Sequence, residues 1–314
     1  MRIAILGAGG VGGFFGATLA RAGEDVVFIA RGEHLRALQQ TGLKIHSPAG
    51  DFSLQGLVAT ADPATVGPID LVLLAVKSWQ LPGVLPMLRR TLDGDSLVLP
   101  LLNGIKVHEA ITEELGATRV LKGLARIISR VTAPGEITHT GVPPTIVFKE
   151  ADNRLSERTE GLQERLEKAG IVAHLPEDID VALWEKFLFV ASLGGVGALT
   201  RAPAGVLRDQ PETRSLLHEA MTEILTLATA HGVHLDDTSV PAAMAFLDRV
   251  PPEGTTSMAR DMAAGRPSEM EDWTGAVVHL GHEMTVPTPV HHVIYRALLP
   301  LERRARGDVS FSTP

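Results

Sequence analysis

The strongest constraint on this chain is a glycine-rich turn between an apolar strand and a helix, close to its beginning. An apolar run of strand formers, Met1–Leu6, leads directly into Gly7-Ala8-Gly9-Gly10-Val11-Gly12, and helical spacing follows. In a G-x-G-x-x-G pattern the first glycine permits a tight turn, the second lets the backbone approach a pyrophosphate, and the third lets the helix pack closely. The pattern predicts dinucleotide binding, with a plain strand–helix turn as the alternative.

The residue after the second apolar run bears on the choice between NAD and NADP. That run, Asp25–Ala30, is followed by Arg31. An acidic residue here would accept the ribose 2′-hydroxyl, whereas a guanidinium can pair bidentately with a 2′-phosphate. Arg31 therefore predicts NADPH as the cofactor, the alternative being a solvated loop arginine. Lys77 follows the buried run Leu71–Val76 and suits a second phosphate contact at the same sheet edge.

Strand and helix patterns alternate through the first half of the chain, which predicts an α/β fold with a Rossmann-type, doubly wound sheet. Further strands are predicted at Leu43–His46 and Phe52–Leu54 (a hairpin about Pro48-Ala49-Gly50), Ala59–Thr60, Ser96–Pro100, Ala125–Thr132, Glu136–Thr140, Thr145–Phe148 and Ile171–His174. Beyond Pro176 only helical patterns occur. We therefore predict an NADP-binding Rossmann-like domain over 1–175 and an all-helical catalytic domain over 176–314, with a loose tail from Arg306 to Pro314.

Composition narrows the classes of function. The formal net charge of −8 over 314 residues gives no electrostatic signature for nucleic acid or an anionic membrane. The absence of cysteine excludes disulfides and thiolate chemistry, which is consistent with a cytoplasmic protein. No metal site is apparent. Glycines interrupt the apolar N-terminus, so a strand explains it better than a signal peptide, and no uninterrupted apolar run predicts a transmembrane helix.

A lysine in an apolar helix is the first catalytic candidate. Lys186 lies in Trp184–Phe189, within a predicted helix, Ile179–Gly194, that is apolar nearly all round and therefore expected to be buried. Desolvation favours the neutral amine and so brings proton donation towards neutral pH. The alternative is a lysine whose ammonium extends to solvent from the helix surface.

Three other polar residues, Glu269, Ser257 and Asn103, are functional candidates that could instead have structural roles. Ser268-x-x-Glu271 has the spacing of a capping box, which predicts a structural role for Glu271 and leaves Glu269, in the first turn, available for another role. Glu269 could simply favour the helix dipole, Ser257 could be a helix cap, and Asn103-Gly104 could be a turn.

Together these elements resemble the ketopantoate reductase (2-dehydropantoate 2-reductase) family over nearly the whole chain. The matched elements are the glycine loop at 7–12, Ala30-Arg31, Ala75-Val76-Lys77-Ser78-Trp79-Gln80, Leu102-Asn103-Gly104, Trp184-Glu185-Lys186, Thr256-Ser257-Met258 and Glu269. The resemblance implies reduction of ketopantoate to pantoate in pantothenate biosynthesis, by hydride transfer from NADPH to the 2-keto carbon.

The resemblance also implies roles for single residues. Lys186 would be the general acid that protonates the carbonyl oxygen. Glu269 would hold cofactor and substrate, Asn103 would contact both, and Ser257 would bind the substrate carboxylate. Arg31 and Lys77 would bind the cofactor. A homodimer is the first candidate for the assembly, with the oligomeric state left open by the sequence.

The chain departs from the family at three substrate-side positions. The family has asparagines where this sequence has Val190, Gly194 and, if the spacing is kept, Ala204. Such a change deletes hydrogen bonds that would select a polar substrate. A reductase of a different small 2-keto acid is therefore the first alternative, and a non-catalytic NADPH-binding sensor the second.

Overall fold

The computed structural model describes residues 1–312, and the chain divides into two compact units. The first consists of Met1–Leu102 and Val107–Ile179, and the second of Asn103–Lys106 and Asp180–Pro314. The boundary expected after residue 175 lies four residues before the later of these divisions. The segment Asn103–Lys106 belongs to the second unit although both of its flanks belong to the first.

Ten strands form two sheets in the first unit. They are β1 (Arg2–Leu6), β2 (Asp25–Ile29), β3 (Leu43–His46), β4 (Phe52–Leu54), β5 (Val58–Thr60), β6 (Leu71–Leu74), β7 (Leu97–Pro100), β8 (Lys122–Ala133), β9 (Glu136–Lys149) and β10 (Val172–His174).

Twelve α-helices lie within the described residues. They are α1 (Gly10–Arg21), α2 (Gly32–Gln40), α3 (Leu81–Thr91), α4 (Val107–Leu115), α5 (Glu157–Lys168), α6 (Ile179–Thr200), α7 (Ala204–Asp209), α8 (Pro211–Ala230), α9 (Ser239–Leu247), α10 (Ser257–Ala263), α11 (Ala276–Glu283) and α12 (Pro289–Arg306). Short 3₁₀ turns cover Pro63–Thr65 and Ser78–Gln80, and a π-helical turn covers Glu271–Gly275.

The first sheet has the Rossmann strand order, which confirms the predicted fold class. Its order is β5-β2-β1-β6-β7 with every pair parallel. The chain leaves β1 towards β2 on one side and later returns to β6 on the other, so β1 marks the switch point. In sheets of this kind ligands bind beyond the carboxyl ends of the strands at that point.

Apolar side chains on both faces of this sheet explain its continuous hydrophobic strands. Ile3 and Ile5 of β1 join one core, which also contains residues of α1 and of the second sheet. Ala4 and Leu6 point the other way, into a core that also contains residues of α3 and α4. Because both faces are buried, every second residue cannot be polar, and the strands lack polar–apolar alternation.

The second sheet has the order β10-β9-β3-β4, with β8 antiparallel along β9. The β3–β4 hairpin is antiparallel, as predicted. The two separate strands predicted over Glu136–Thr140 and Thr145–Phe148 are wrong, since β9 runs through both. Residues 141–144, which contain Gly141 and two prolines, bulge out opposite Ile127, and pairing with β8 resumes at Thr145.

The second unit is helical, as predicted. Its core contains buried residues of α6, α8, α12 and the π-helical turn. By length and composition α6 could cross a membrane, but 72% of its most apolar window is buried in the protein. That burial is typical of a core helix in a soluble protein, and it explains why α6 is apolar all round.

Candidate functional site

The glycine loop folds as its sequence predicts. Gly7 has φ +99°, and a Cβ there would lie 2.7 Å from the carbonyl oxygen of Ala75. A Cβ on Gly12 would run into the Gly7 carbonyl oxygen and would lie 2.9 Å from the Ala75 methyl. Both positions therefore require glycine, because the loop, α1 and the segment after β6 pack too closely for a side chain.

The same loop leaves room where a dinucleotide phosphate would approach. A Cβ on Gly9 would meet no atom within 4 Å. No side chain caps the N-terminus of α1, which begins at Gly10. Open space beside first-turn N–H groups that lack a side-chain cap suits an anion at a helix N-terminus. The loop thus fits a pyrophosphate.

Arg31 lies at the carboxyl end of β2, the strand next to β1. Its backbone is extended, and it immediately precedes the first residue of α2. The side chain is exposed and makes no hydrogen bond or ion pair with the described residues. An exposed guanidinium one strand away from the glycine loop is available to an anionic ligand.

Lys77 follows β6, the other neighbour of β1. Its backbone N–H donates to Oε1 of Gln80 at 3.0 Å, which fixes the 3₁₀ turn. The segment before it is tied to β1, since the Ala75 N–H donates to the Leu6 carbonyl at 2.9 Å. Lys77, Arg31 and the glycine loop therefore leave three adjacent strands at the same edge of the sheet.

The remaining candidates belong to the second unit. Asn103 follows β7 by three residues, and Ile105, two residues later, packs against the helical core. Lys186 is half-buried on α6, two residues after the buried Trp184 and next to the buried Phe187. Lys186 is therefore neither fully buried nor fully exposed.

Ser257 is released from the capping role that its position allowed. The cap of α10 is Thr256, whose Oγ1 accepts from the Ala259 N–H at 3.2 Å. Ser257 is the first residue of the helix, half-buried, and its hydroxyl has no hydrogen-bond partner among residues 1–312. Its hydroxyl is therefore available to a ligand.

The predicted capping box at Ser268 and Glu271 is wrong. The Ser268 hydroxyl donates to Oε2 of Glu302 at 2.6 Å, and the Glu302 carboxylate also accepts the Ser268 N–H. Glu271 instead accepts from His279 at 2.8 Å and from the Tyr295 hydroxyl at 3.1 Å. Glu269 itself is 3% exposed, so it is a buried carboxylate and not the solvated first-turn charge of the alternative reading.

Three elements on or next to which the substrate-side candidates lie meet at Gly194 of α6. A Cβ on Gly194 would lie 2.8 Å from Cζ3 of Trp273 and 3.4 Å from Cε of Met258. Met258 is next to Ser257, and Trp273 lies in the π-helical turn that follows Glu269. The core of the second unit therefore packs α6 against α10 and the π-helical turn.

The three departures from the family differ in their surroundings. Gly194 faces the Trp273 indole, and Ala204 is 1% exposed. Val190, one turn beyond Lys186 on α6, is half-buried. Of the three positions, Val190 therefore has the most freedom to accept a polar side chain.

Two neighbours of the glycine loop had no recognisable signal in the sequence. A Cβ on Gly10 would lie 2.6 Å from the carbonyl oxygen of Ser129 in β8. His34 of α2 accepts the Gly135 N–H on Nδ1 at 3.1 Å. Burial lowers the pKa of His34 below its ordinary value, and an interaction with the Ala8 backbone offsets part of this shift. Both contacts are long-range, so no local spacing could reveal them.

Comparison with known proteins covers both units. The family model "Ketopantoate reductase PanE/ApbA" matches residues 3–153, and its C-terminal counterpart matches residues 178–302. A 2-dehydropantoate 2-reductase of Nostoc sp. is 30% identical over 97% of this chain and 96% of its own length.

Solved structures agree in fold. The crystal structure of a 2-dehydropantoate 2-reductase from Geobacter metallireducens has a TM-score of 0.90 at 30% identity, covering 96% of this chain and 99% of its own. A D-mandelate dehydrogenase determined with NADH and anilino(oxo)acetate has a TM-score of 0.89 at 22% identity, covering 98% and 100%. The latter likeness concerns the fold alone.

The two family models match residues 3–153 and 178–302, and the reductase relative covers 97% of the chain. The sheet order, glycine loop and helical second unit agree with this assignment. The chain belongs to the ketopantoate reductase family of oxidoreductases.

Proposed function

We propose that this protein reduces 2-dehydropantoate to pantoate with NADPH. The observation that carries the proposal is the set of groups at the carboxyl ends of β1, β2 and β6. An open Gly9 lies beside the N-terminus of α1, the Arg31 side chain is exposed, and Lys77 follows the neighbouring strand. These are the groups that a pyrophosphate and a ribose 2′-phosphate require.

The residues of the second unit would handle the keto acid. When bound, the dihydronicotinamide supplies the hydride that reduces the keto carbon. Lys186 donates a proton to the carbonyl oxygen, so that the ketone gains one hydride and one proton and becomes a secondary alcohol. The ammonium also stabilises negative charge on that oxygen while it develops.

The other polar side chains would orient the reactants. The Ser257 hydroxyl donates to the substrate carboxylate, and the Asn103 amide contacts substrate and nicotinamide. Glu269 holds cofactor and substrate. Its burial keeps the carboxylate out of bulk water, where its hydrogen bonds to a ligand would be weakened by competition.

The test is a steady-state assay of NADPH oxidation with ketopantoate, pyruvate, 2-oxoisovalerate and phenylpyruvate. We expect the highest kcat/KM for ketopantoate. Absence of turnover with every keto acid, despite NADPH binding, would favour a non-catalytic sensor and contradict the proposal.

A second candidate is reduction of a 2-keto acid that lacks a hydroxyl. The specific observation is that Gly194 faces the Trp273 indole and Ala204 is buried, so neither position offers a polar side chain. A ketopantoate hydroxyl would then lose hydrogen bonds worth about 1 kcal/mol each. A higher kcat/KM for 2-oxoisovalerate or phenylpyruvate in the same assay would select this candidate.

We also propose that the enzyme works in the cytoplasm as a homodimer. The absence of cysteine is consistent with a reducing compartment. Sedimentation equilibrium at assay concentrations would distinguish a dimer from a monomer.

A further inference from the structure

An ion pair between a buried glutamate and a partly exposed arginine at the end of α12 holds the residue before Glu269. Glu302, 3% exposed, accepts the Ser268 N–H at 3.1 Å on Oε1 and the Ser268 hydroxyl at 2.6 Å on Oε2. Arg306 donates from Nε to Oε1 of Glu302 at 2.8 Å and from a terminal nitrogen to the Ser268 carbonyl at 3.0 Å. The N–H, hydroxyl and carbonyl of Ser268 are thus all bound by one carboxylate–guanidinium pair.

Burying the Glu302 carboxylate costs free energy, so packing alone does not explain its presence. A buried carboxylate loses its hydration, and ion pairing often only compensates for that loss. The expected loose tail from Arg306 onward is wrong at its first residue, because Arg306 ends α12 and contacts Ser268. Residues 313–314 of that tail lie outside the described residues.

The backbone on the other side of Glu269 is fixed as well. The Met270 N–H donates to the Ser268 hydroxyl oxygen at 3.2 Å. The Glu269 carbonyl accepts the N–H of Trp273, the third residue of the π-helical turn, at 3.0 Å. The π-helical turn over Glu271–Gly275 begins two residues after Glu269, and π turns are uncommon and concentrate at functional sites.

We propose that Glu302 and Arg306 are positioning residues for Glu269. They fix the backbone from which its side chain projects, and therefore the place where its carboxylate meets cofactor and substrate. This inference rests on the role of Glu269 in the proposed function. Displacing a positioned group by about 1 Å can lower a rate up to about a hundredfold. This clamp, formed by Glu302 and Arg306, should therefore affect turnover.

A double-mutant cycle separates positioning from general support of the fold. We expect Glu302→Gln to lower kcat/KM by about tenfold in the wild-type background but by less than about twofold in a Glu269→Gln background. The NADPH dissociation constant, measured by fluorescence titration, should couple in the same direction. Equal losses in both backgrounds would overturn the proposal, because they would show that Glu302 acts independently of Glu269.

Glu223→Gln is the matched control. Glu223 is also a buried carboxylate of the second unit, and it binds the other end of α12 through the Val290 and His291 N–H groups at 2.6 and 3.0 Å. We expect its effect to be the same with and without Glu269→Gln. Coupling as strong as that of Glu302 would show that any loosening of α12 acts on Glu269, and would remove the specific role of the clamp.

Hydrogen exchange gives a readout that does not depend on turnover. Glu302→Gln should accelerate exchange of the amides at 268–270, whereas Glu223→Gln should not. If Glu302→Gln fails to fold, Arg306→Gln replaces it, since that side chain at the end of α12 is 31% exposed. If exchange is faster in Glu302→Gln but the wild type turns over no keto acid, only the proposed function is refuted. Unchanged exchange in both Glu302→Gln and Arg306→Gln would refute the clamp.

Discussion

Ser268 and Glu271 show how a single residue can be misread from its neighbours. The spacing Ser-x-x-Glu is that of a capping box, yet the Ser268 N–H and hydroxyl bind Glu302, 34 positions away. A buried carboxylate competes successfully for donors because its charged hydrogen bonds are stronger than neutral ones. The need for glycine at positions 7 and 12 was predictable, because their surroundings come from neighbouring elements with a known connection.

Cofactor choice is expected to depend on Arg31. We predict a KM for NADPH at least about tenfold lower than for NADH, equivalent to about 1.4 kcal/mol. Arg31→Ala should narrow the ratio of the two KM values mainly by weakening NADPH binding, since the 2′-phosphate would lose its guanidinium partner. Arg36→Ala on the same helix, which removes an exposed arginine near Glu33, should leave the ratio unchanged. A wild-type preference for NADH would contradict the prediction.

Lys186 is expected to affect chemistry more than cofactor binding. Its proton is needed as hydride transfers, so Lys186→Ala should lower kcat by about a hundredfold or more. NADPH dissociation constants should change only a few-fold. Wild-type kcat should fall at alkaline pH as the acid loses its proton, and this fall should be absent from Lys186→Ala.

Lys168→Ala is the control for this prediction, because it removes an exposed lysine that pairs with Glu164 on α5. It should keep wild-type turnover and the same pH profile. Near-normal turnover of Lys186→Ala would assign the lysine a structural role and make Glu269 the next candidate for the acid.

At the scale of elements, sequence patterns located the strands and α6 but not their irregularities. The π-helical turn at Glu271–Gly275 and the bulge at 141–144 arise from packing against residues far away in sequence. The same holds for α6, whose apolar composition predicts burial without indicating which residue faces Trp273. Sequence patterns report the period of an element and leave its partners open.

The surroundings of α6 predict different tolerance at two positions of one helix. Gly194→Ala should cost about 1–3 kcal/mol of unfolding free energy, because its Cβ would overlap the indole of Trp273. Gly197→Ala is the control, since its Cβ would meet nothing closer than 3.7 Å and alanine favours the helix. Denaturant unfolding measures both, and equal stability of the two variants would disprove the contact.

Val190→Asn tests the departure from the family at the neighbouring turn. The variant should fold, because Val190 is only half-buried. If the amide reaches the substrate, kcat/KM for ketopantoate should rise more than for an unhydroxylated analogue, by about 1–3 kcal/mol in transition-state binding. Equal gains for both substrates would indicate recognition by other residues.

His34 connects α2 to the β8–β9 turn and should make stability depend on pH. Because burial lowers its pKa, the unfolded chain takes up the proton first as pH falls. Stability contributed by neutral His34 is therefore present above the ordinary histidine pKa and is lost as pH falls below it. His34→Gln, which offers Gly135 an acceptor oxygen, should lose less unfolding free energy between pH 7 and pH 5 than the wild type. An identical slope would contradict the prediction.

At the scale of the whole molecule, a sheet unit followed by a helical unit was predictable. The early passage of the chain into the second unit at 103–106 was not. The switch from strand to helix patterns marks the later crossing, near residue 179. The earlier excursion, Asn103–Lys106, is too short to change any periodicity, although Ile105 packs with the helical core. Ile105→Ala should lower the stability of the second unit by about 1–3 kcal/mol.

Hydrogen exchange resolved by segment would check this. Amides of α6 should exchange faster in Ile105→Ala, while those of β1 and β6 should not. Ile128→Ala, at a β8 residue that is 45% exposed, should leave both sets unchanged. Faster exchange in the sheet instead would show that Ile105 stabilises the first unit, and would contradict the prediction.

The excursion at 103–106 also constrains how the protein is made and how it can be recombined. During synthesis from the N-terminus, Ile105 leaves the ribosome well before α6 is made. Its apolar side chain therefore lacks its packing partners while residues 107–179 complete the sheet unit. A nascent chain therefore carries an exposed loop whose partners are still unmade. For the same reason, a chimera joined only near residue 179 would inherit this loop from one parent and its core from the other. Exchange of an intact second unit between homologues would need three crossovers, one at each end of 103–106 and one near residue 179, or a matched residue at 105.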